Sequence, residues 1–343
     1  MRMVRFARYN VWTLKKQNPT LEETLPARSV NESLHGVLLP FVTPFDEELE
    51  VDVAAVSANL EAWSQTGVSG YVALGSTGER VHLSERECLR VIEAARAHVS
   101  APLSLIVGAG QPSVRLTIDE VKNWAAAGAD ALLVITPSYY RAEMSQVALK
   151  SYYRAVADAS RVPLLLYNIP QLTGITLAPE TVAELATHEN IIGIKDSSGD
   201  HVALGEMLRL VPEGFAVLTG HGAALMAALA AGARGAILAV GCFAPRACVE
   251  VYGAVQAGDY ERARALQRGL AGLVRAVMGR FGIGGIKAAM DELGYRGGRV
   301  RAPLTEPDSA SRAEIAKLLR ESGLFDNQLS GVYEERRTGA GMR

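Results

Sequence analysis

The sequence predicts an α/β fold, a closed (β/α)8 TIM barrel with a C-terminal helical appendix, and three observations predict it. Eight short apolar runs lie between Gly36 and Ala239, each with a helix-compatible segment behind it. Gly67, Gly128 and Gly232 fall near helix ends, where a left-handed turn back toward a sheet is useful. Beyond Asp259 no strand-like run remains. Strands alternating with helices imply a parallel sheet, and eight units are what a closed barrel requires. An open doubly wound sheet would produce the same local pattern. Its dinucleotide-binding version needs a glycine-rich fingerprint after the first strand, and that place reads Val42-Thr43-Pro44-Phe45. Gly108-Ala109-Gly110, after the third run, lacks the remaining glycine and reads as a tight turn.

The elements follow in order. Residues 36–42 form the first run, and 52–65 the first helix, with Asp52 as its N-cap. Residues 70–74 precede a helix at 84–98, where Ser84 and Glu87 have capping-box spacing. The runs at 103–107 and 131–135 lead to helices at 113–127 and 145–159. Those at 163–167 and 191–195 lead to helices at 179–187 and 200–210, and runs at 215–218 and 236–239 close the series. Helices at 260–278, 284–293 and 309–322 then form the appendix. The expected organisation is a poorly ordered N-terminal extension (1–33), the barrel (34–258), a C-terminal helical region (259–333) and a fraying tail (334–343). The extension is basic, and Glu22 is its first acid, so a transit peptide, an arm or a start codon read too early all fit.

Composition narrows the function. Hydrophobic residues make up 49% of the 343 and charged residues 21%, enough apolar material for a sizeable core. The net charge is −2 with both signs interspersed, so no nucleic-acid or acidic-membrane partner is expected. No apolar run approaches the roughly 20 residues of a membrane helix. Cys88, Cys242 and Cys248 form no CxxC, and the six histidines form no HxH or HxxxH pair. No disulfide framework, metal or cofactor is therefore expected, and a reducing cytoplasm fits.

The chemistry should collect where the loops after the strands gather. Lys195 ends the apolar run Ile191-Ile192-Gly193-Ile194. Strict alternation puts Ile191, Gly193 and Lys195 on one face, and Ile192 and Ile194 on the other. Desolvation disfavours the charged amine, so a lysine there can attack a carbonyl carbon. Structural lysines are far commoner than nucleophilic ones, so taken alone Lys195 reads first as a snorkelling residue or a partner of Asp196. Tyr167 holds the corresponding place on the preceding strand, where a phenol passes protons to and from a carbinolamine, although core tyrosines are also common. Gly75-Ser76-Thr77-Gly78-Glu79 follows the second strand and offers hydroxyl and backbone donors to a carboxylate, or is an ordinary Ser/Thr turn.

In combination these motifs have a counterpart. Gly75-Ser76-Thr77-Gly78-Glu79, Tyr167-Asn168-Ile169-Pro170 and Gly193-Ile194-Lys195-Asp196, in that order, resemble the dihydrodipicolinate synthase/N-acetylneuraminate lyase family of Schiff-base-forming aldolases. The resemblance runs from Gly36 into the helical appendix. It implies Lys195 as Schiff-base former, Tyr167 as proton shuttle and Ser76 as relay. It also implies that Thr77 helps to hold the carboxylate of a 2-oxo acid such as pyruvate, and that Gly220 lies near the substrate. Tyr139 would reach into a neighbouring subunit's site, which implies a homodimer or homotetramer. Within the family, Thr136-Pro137-Ser138-Tyr139-Tyr140-Arg141, Lys195-Asp196-Ser197, Arg280-Phe281-Gly282-Ile283, Gly285-Ile286-Lys287 and Gly294-Tyr295-Arg296-Gly297-Gly298 look like 4-hydroxy-2-oxoglutarate aldolase. That enzyme typically has an amide at the place of Thr77, and its 167–174 loop also differs. Leu172 stands where dihydrodipicolinate synthase would have an arginine for its aldehyde substrate's carboxylate. Gly220-His221-Gly222-Ala223-Ala224 lacks the acids that neuraminate lyase would use. The expected reaction is cleavage of 4-hydroxy-2-oxoglutarate to pyruvate and the aldehyde glyoxylate, with Ser197 among the substrate-binding residues. A synthase, a 2-keto-3-deoxy sugar-acid aldolase and a non-catalytic 2-oxo acid-binding barrel are the alternatives.

Overall fold

A computed structural model describes residues 30–325 apart from Glu32. Most of the expected extension and all of the expected tail lie outside the described residues. The eight strands are β1 (Gly36–Pro40), β2 (Gly70–Ala73), β3 (Ser104–Ala109), β4 (Ala131–Ile135), β5 (Leu164–Asn168), β6 (Ile191–Asp196), β7 (Ala216–Thr219) and β8 (Gly235–Ile237). Each pairs in parallel with its sequence neighbours, and β8 pairs with β1 to close the barrel. Because side chains alternate across each strand, two apolar layers result. Leu38, Val72, Ile106, Leu133, Leu165 and Ile237 fill the interior. Leu39, Leu105, Leu132, Leu166 and Val217 pack outward against the helices. Each such side chain, fully buried, contributes about 1.5–3 kcal/mol. Val30 and Leu34 join the interior cluster, so chain ahead of the expected barrel boundary at residue 34 is packed against it.

The helices start where local chemistry predicts. Asp52, Ser113, Ser145 and Asp200 cap backbone amides of the helices Val53–Ser64, Val114–Ala126, Gln146–Ala159 and His201–Leu210. Ser84 and Glu87 close a reciprocal capping box on Glu85–His98. Gly67, Gly128 and Gly232 have φ of +83°, +105° and +112°, the left-handed turns expected of them.

Three local expectations are corrected. β3 continues through Gly108 and Ala109, which pair with Leu133 and Val134 of β4, and the turn falls at Gly110 (φ +125°). Gly108 is small for another reason: a Cβ there would lie 2.1 Å from the Leu74 carbonyl oxygen. β6 does not alternate strictly. Its register against β5 passes from Leu164–Ile191 directly to Leu165–Gly193, skipping Ile192. Ile191 and Ile194 therefore both pack in the outer layer, while Ile192 lies against the interior cluster. Finally, Ala239 begins a 3₁₀ turn (Ala239–Cys242) instead of ending β8.

The appendix consists of Tyr260–Leu273, a π-turn at Val274–Met278, Gly279–Glu292 and Ser309–Glu321. The stretch Tyr260–Glu292 is long and apolar enough to cross a membrane by length and composition, which the sequence reading did not anticipate. Its helical geometry breaks at Gly282 (φ 55°, ψ −140°), and Leu270, Leu273, Val277 and Ile286 pack into the barrel's outer core.

Candidate active site

At the carboxyl ends of the strands, three side chains form a hydrogen-bonded chain. Tyr167 on β5 and Lys195 on β6 are register partners. Lys195 Nζ donates to Tyr167 Oη at 3.2 Å and sits 4.4 Å from the phenol ring's centre. Tyr167 Oη lies 3.1 Å from Ser76 Oγ, which arrives from the loop after β2. Lys195 is 4% exposed and Tyr167 3%. Burial pushes the Tyr167 phenol up, but the Lys195 charge and hydrogen bonds with Ser76, Lys195 and Ser197 outweigh it and hold the phenol below its ordinary value. A phenol held below its ordinary value gives up its proton more readily than a free tyrosine.

Asp196 does not pair with Lys195. Its carboxylate accepts from Asn168 Nδ2 (2.7 Å), Ser198 N (3.3 Å) and Ser198 Oγ (2.8 Å). Asn168 Oδ1 in turn accepts from Leu177 N at 3.1 Å. This network fixes the end of β6 while the lysine amine points to Tyr167. Asn168 and Asp196 were visible only as parts of motifs, and their pairing spans 28 residues.

Ser76 and Thr77 belong to a tight turn. Gly78 N donates to Gly75 O at 3.0 Å and Glu79 N to Ser76 O at 3.3 Å. Leu74 and Glu79, which flank it, both have φ of 54°, a strained value for side chains other than glycine. Thr77 is buried. Ser197 is buried as well, beside Gly220, whose backbone N–H donates to Asp196 O at 2.6 Å. A Cβ on Gly220 would lie 2.0 Å from Ser197 Oγ and 2.9 Å from Lys195 Cε, so this position must be glycine for both side chains to stay in place.

Tyr139 is not brought to this cluster. It is 76% exposed, edge-on to Tyr140 at 5.0 Å between ring centres. Leu172 is also exposed, on a short helix (Pro170–Thr173) that the sequence reading did not anticipate. The same helix carries Gln171, whose Nε2 donates to Ser197 O (3.0 Å) and Ser198 O (2.8 Å) and ties the loops after β5 and β6 together. Arg141, whose side chain lies 3.1 Å from where a Cβ on Gly174 would sit, adds a guanidinium beside that loop. Both residues lie in stretches that carry the resemblance, but their contacts are with other loops, which no local pattern shows. Among the described residues, no group of three or more His, Cys, Asp or Glu side chains is placed to hold a metal.

Residues 33–322 match the dihydrodipicolinate synthetase family. The chain belongs to that family. A 4-hydroxy-tetrahydrodipicolinate synthase of Hyphomonas neptunium is 38% identical over 292 residues, covering 84% of this chain and 99% of the relative. A protein of Emericella nidulans named "Probable 4-hydroxy-2-oxoglutarate aldolase, mitochondrial" is 36% identical over 303 residues, covering 86% and 96%. Among solved structures, a prophage protein of the dihydrodipicolinic acid synthase family from E. coli K12, in complex with pyruvate, superposes with a TM-score of 0.80 at 32% identity, covering 84% of this chain and 99% of that one. As a member of the dihydrodipicolinate synthetase family, the protein is an enzyme, a lyase or aldolase built on a (β/α)8 barrel.

Proposed function

We propose that the protein is a pyruvate-type class I aldolase that cleaves 4-hydroxy-2-oxoglutarate to pyruvate and glyoxylate. The observation that carries the chemistry is the Ser76–Tyr167–Lys195 hydrogen-bonded chain. The Lys195 amine adds to the C2 carbonyl carbon, and the resulting carbinolamine loses its oxygen as water, with Tyr167 supplying a proton. In the iminium so formed, the C3–C4 bond breaks as the C4 hydroxyl gives up its proton. Glyoxylate leaves, and the electron pair passes into the enamine. Protonation of C3 and hydrolysis of the imine release pyruvate and restore the amine. Ser76 relays protons to Tyr167, and Thr77, Ser197 and the Gly220 backbone bind the substrate. No cofactor is needed, because the imine itself is the electron sink.

The substrate rests on Leu172. An arginine would pair with the carboxylate of a second substrate, whereas the exposed Leu172 offers it neither charge nor hydrogen bond. With Thr77 on the 2-oxo acid carboxylate, the Ser197 hydroxyl and nearby backbone N–H groups suit the distal carboxylate of the cleaved acid. The Hyphomonas relative favours a second reading, condensation of pyruvate with aspartate semialdehyde. A 2-keto-3-deoxy sugar acid is a third substrate that the hydroxyl-rich mouth suits. Comparing kcat/KM for the three reactions tests the assignment. An advantage of about tenfold for either competitor, about 1.4 kcal/mol of transition-state binding, overturns it.

The imine chemistry has its own test. Borohydride reduction in the presence of pyruvate should attach a three-carbon adduct to Lys195. Lys195→Arg should abolish it, because arginine stays protonated and cannot attack a carbonyl. Labelling that survives the substitution removes Lys195 from the centre of the mechanism, and no labelling of the wild type favours a barrel that binds 2-oxo acids without turnover. We further read the enzyme as a homodimer or homotetramer in which Tyr139 serves a neighbouring subunit's site. Its three cysteines, all free and buried, suit the cytoplasm.

A further inference from the structure

We infer that the buried ion pair between Glu79 and Lys287 positions the Ser76–Thr77 turn, which makes Lys287, on the C-terminal helix Gly279–Glu292, a positioning residue for 2-oxo acid binding at the barrel mouth. The inference rests on the reading that this turn receives the substrate's carboxylate. Lys287 and Glu79 are 1% and 2% exposed, and Nζ lies 2.6 Å from Glu79 Oε1. The amine also donates to Thr43 O at 2.7 Å and to Arg299 O, and rests 4.6 Å from the centre of the Phe45 ring. Thr43 O and Arg299 O accept hydrogen bonds from the amine, while Glu79 Oε1 pairs with it by charge and proximity without a hydrogen bond of its own. Glu79 Oε2 accepts from Arg301 N at 3.1 Å and faces His82 Nδ1 at 3.3 Å.

The turn is held at two successive residues. Glu79 is held by Lys287 directly. Gly78 is held by Thr43, whose Oγ1 donates to Gly78 O at 2.7 Å and whose own carbonyl accepts from Lys287. Ser76 and Thr77 are the next residues back, and Ser76 Oγ must stay 3.1 Å from Tyr167 Oη for the proton relay. The left-handed backbone of Glu79 needs such over-determination to persist. The motif around Gly297 belongs to the same device: a Cβ there would lie 2.1 Å from Lys287 O, so glycine lets that backbone lie flat on the lysine. Stability alone is a poor account of the pair, since apolar residues of similar volume serve as well or better. What the pair supplies and apolar residues do not is a fixed direction.

Borohydride trapping of pyruvate at Lys195 separates positioning from chemistry. The variants are Thr43→Val, which removes only the bond to Gly78, and the double variant Glu79→Gln/Lys287→Met, which removes both charges together. Both should still be labelled fully at saturating pyruvate. The pyruvate concentration for half-labelling should rise about tenfold in the double variant, equivalent to about 1.4 kcal/mol, and less in Thr43→Val. Asp130→Asn breaks the Arg96–Asp130 pair before β4, at the opposite end of the barrel, and should leave half-labelling at the wild-type value. Folded variants with wild-type half-labelling, a control that shifts as much as they do, or variants that all fail to fold each overturn the inference. Absence of labelling in the wild type instead removes the Schiff-base reading beneath it, and shows before any variant is compared.

Discussion

Tyr167 faces Lys195 because β6 skips a residue. If the register set by Leu164 and Ile191 ran on unbroken, Tyr167 would pair with Ile194. The irregularity at Ile192 advances β6 by one, so Lys195 becomes the partner and its Nζ comes within 3.2 Å of Tyr167 Oη. Register partners on adjacent strands stand roughly 4.8 Å apart with side chains on one face. A one-residue slip would turn the lysine to the helix side, away from Tyr167. The irregularity in β6 is thus what brings the two side chains together.

Replacing Tyr167 by Phe should leave pyruvate binding nearly intact and slow turnover by roughly 10²–10⁴-fold, the range for a positioned proton-transfer group. The loss should appear in kcat more than in KM, because the hydroxyl acts when protons move. Steady-state kinetics on the purified variant decide it, and ordinary turnover would reduce Tyr167 to a core residue.

In Lys195→Met, the Tyr167 phenol should titrate above its ordinary value. Burial already pushes it up, and the variant removes the largest opposing influence, the lysine charge. In the wild type the phenol titrates below its ordinary value, so the unfolded chain holds that proton more tightly. The resulting contribution to stability grows as pH rises from the folded value to the ordinary one, and is lost as pH falls through the folded value. Spectrophotometric titration of Lys195→Met against Lys195→Met/Tyr167→Phe isolates the group. A downward shift would contradict the proposed electrostatics.

Gly220→Ala should impair the site without unfolding the barrel. The added methyl would lie 2.0 Å from Ser197 Oγ and 2.9 Å from Lys195 Cε, so both side chains must move. We expect kcat/KM to fall by roughly 10²-fold, as for a reacting group displaced by about 1 Å, with little change in the circular dichroism spectrum. Wild-type kinetics would mean that the lysine tolerates more latitude than its packing suggests.

Sedimentation at assay concentrations should return a dimer or a larger species. An oligomer follows from the proposal that Tyr139, 76% exposed here, serves a neighbouring subunit's site. A fully active monomer would leave Tyr139 with a local role or none.

The barrel was legible in the sequence because its signals are local. Apolar runs of strand length, helix starts at Asp52, Ser84, Ser113, Ser145 and Asp200, and glycines at helix ends each act within a few residues, and the structure has all eight strands, those helix starts and those left-handed glycines. The strand-end placement of Lys195 and Tyr167 was legible for the same reason. Tertiary structure alone decided what lies across the chain. The bulge in β6 depends on pairing with β5, Ser76 meets Tyr167 across 91 residues, and the Asp196 network takes the rival partner away from Lys195. Glu79 stood only as the last residue of the Gly75–Glu79 motif and Lys287 only as part of Gly285-Ile286-Lys287, and nothing paired them until the appendix packed on the mouth and buried both. Periodicity and capping encode conformation over one or two turns of chain, whereas a buried charge finds its partner only when closure of the barrel excludes water between them.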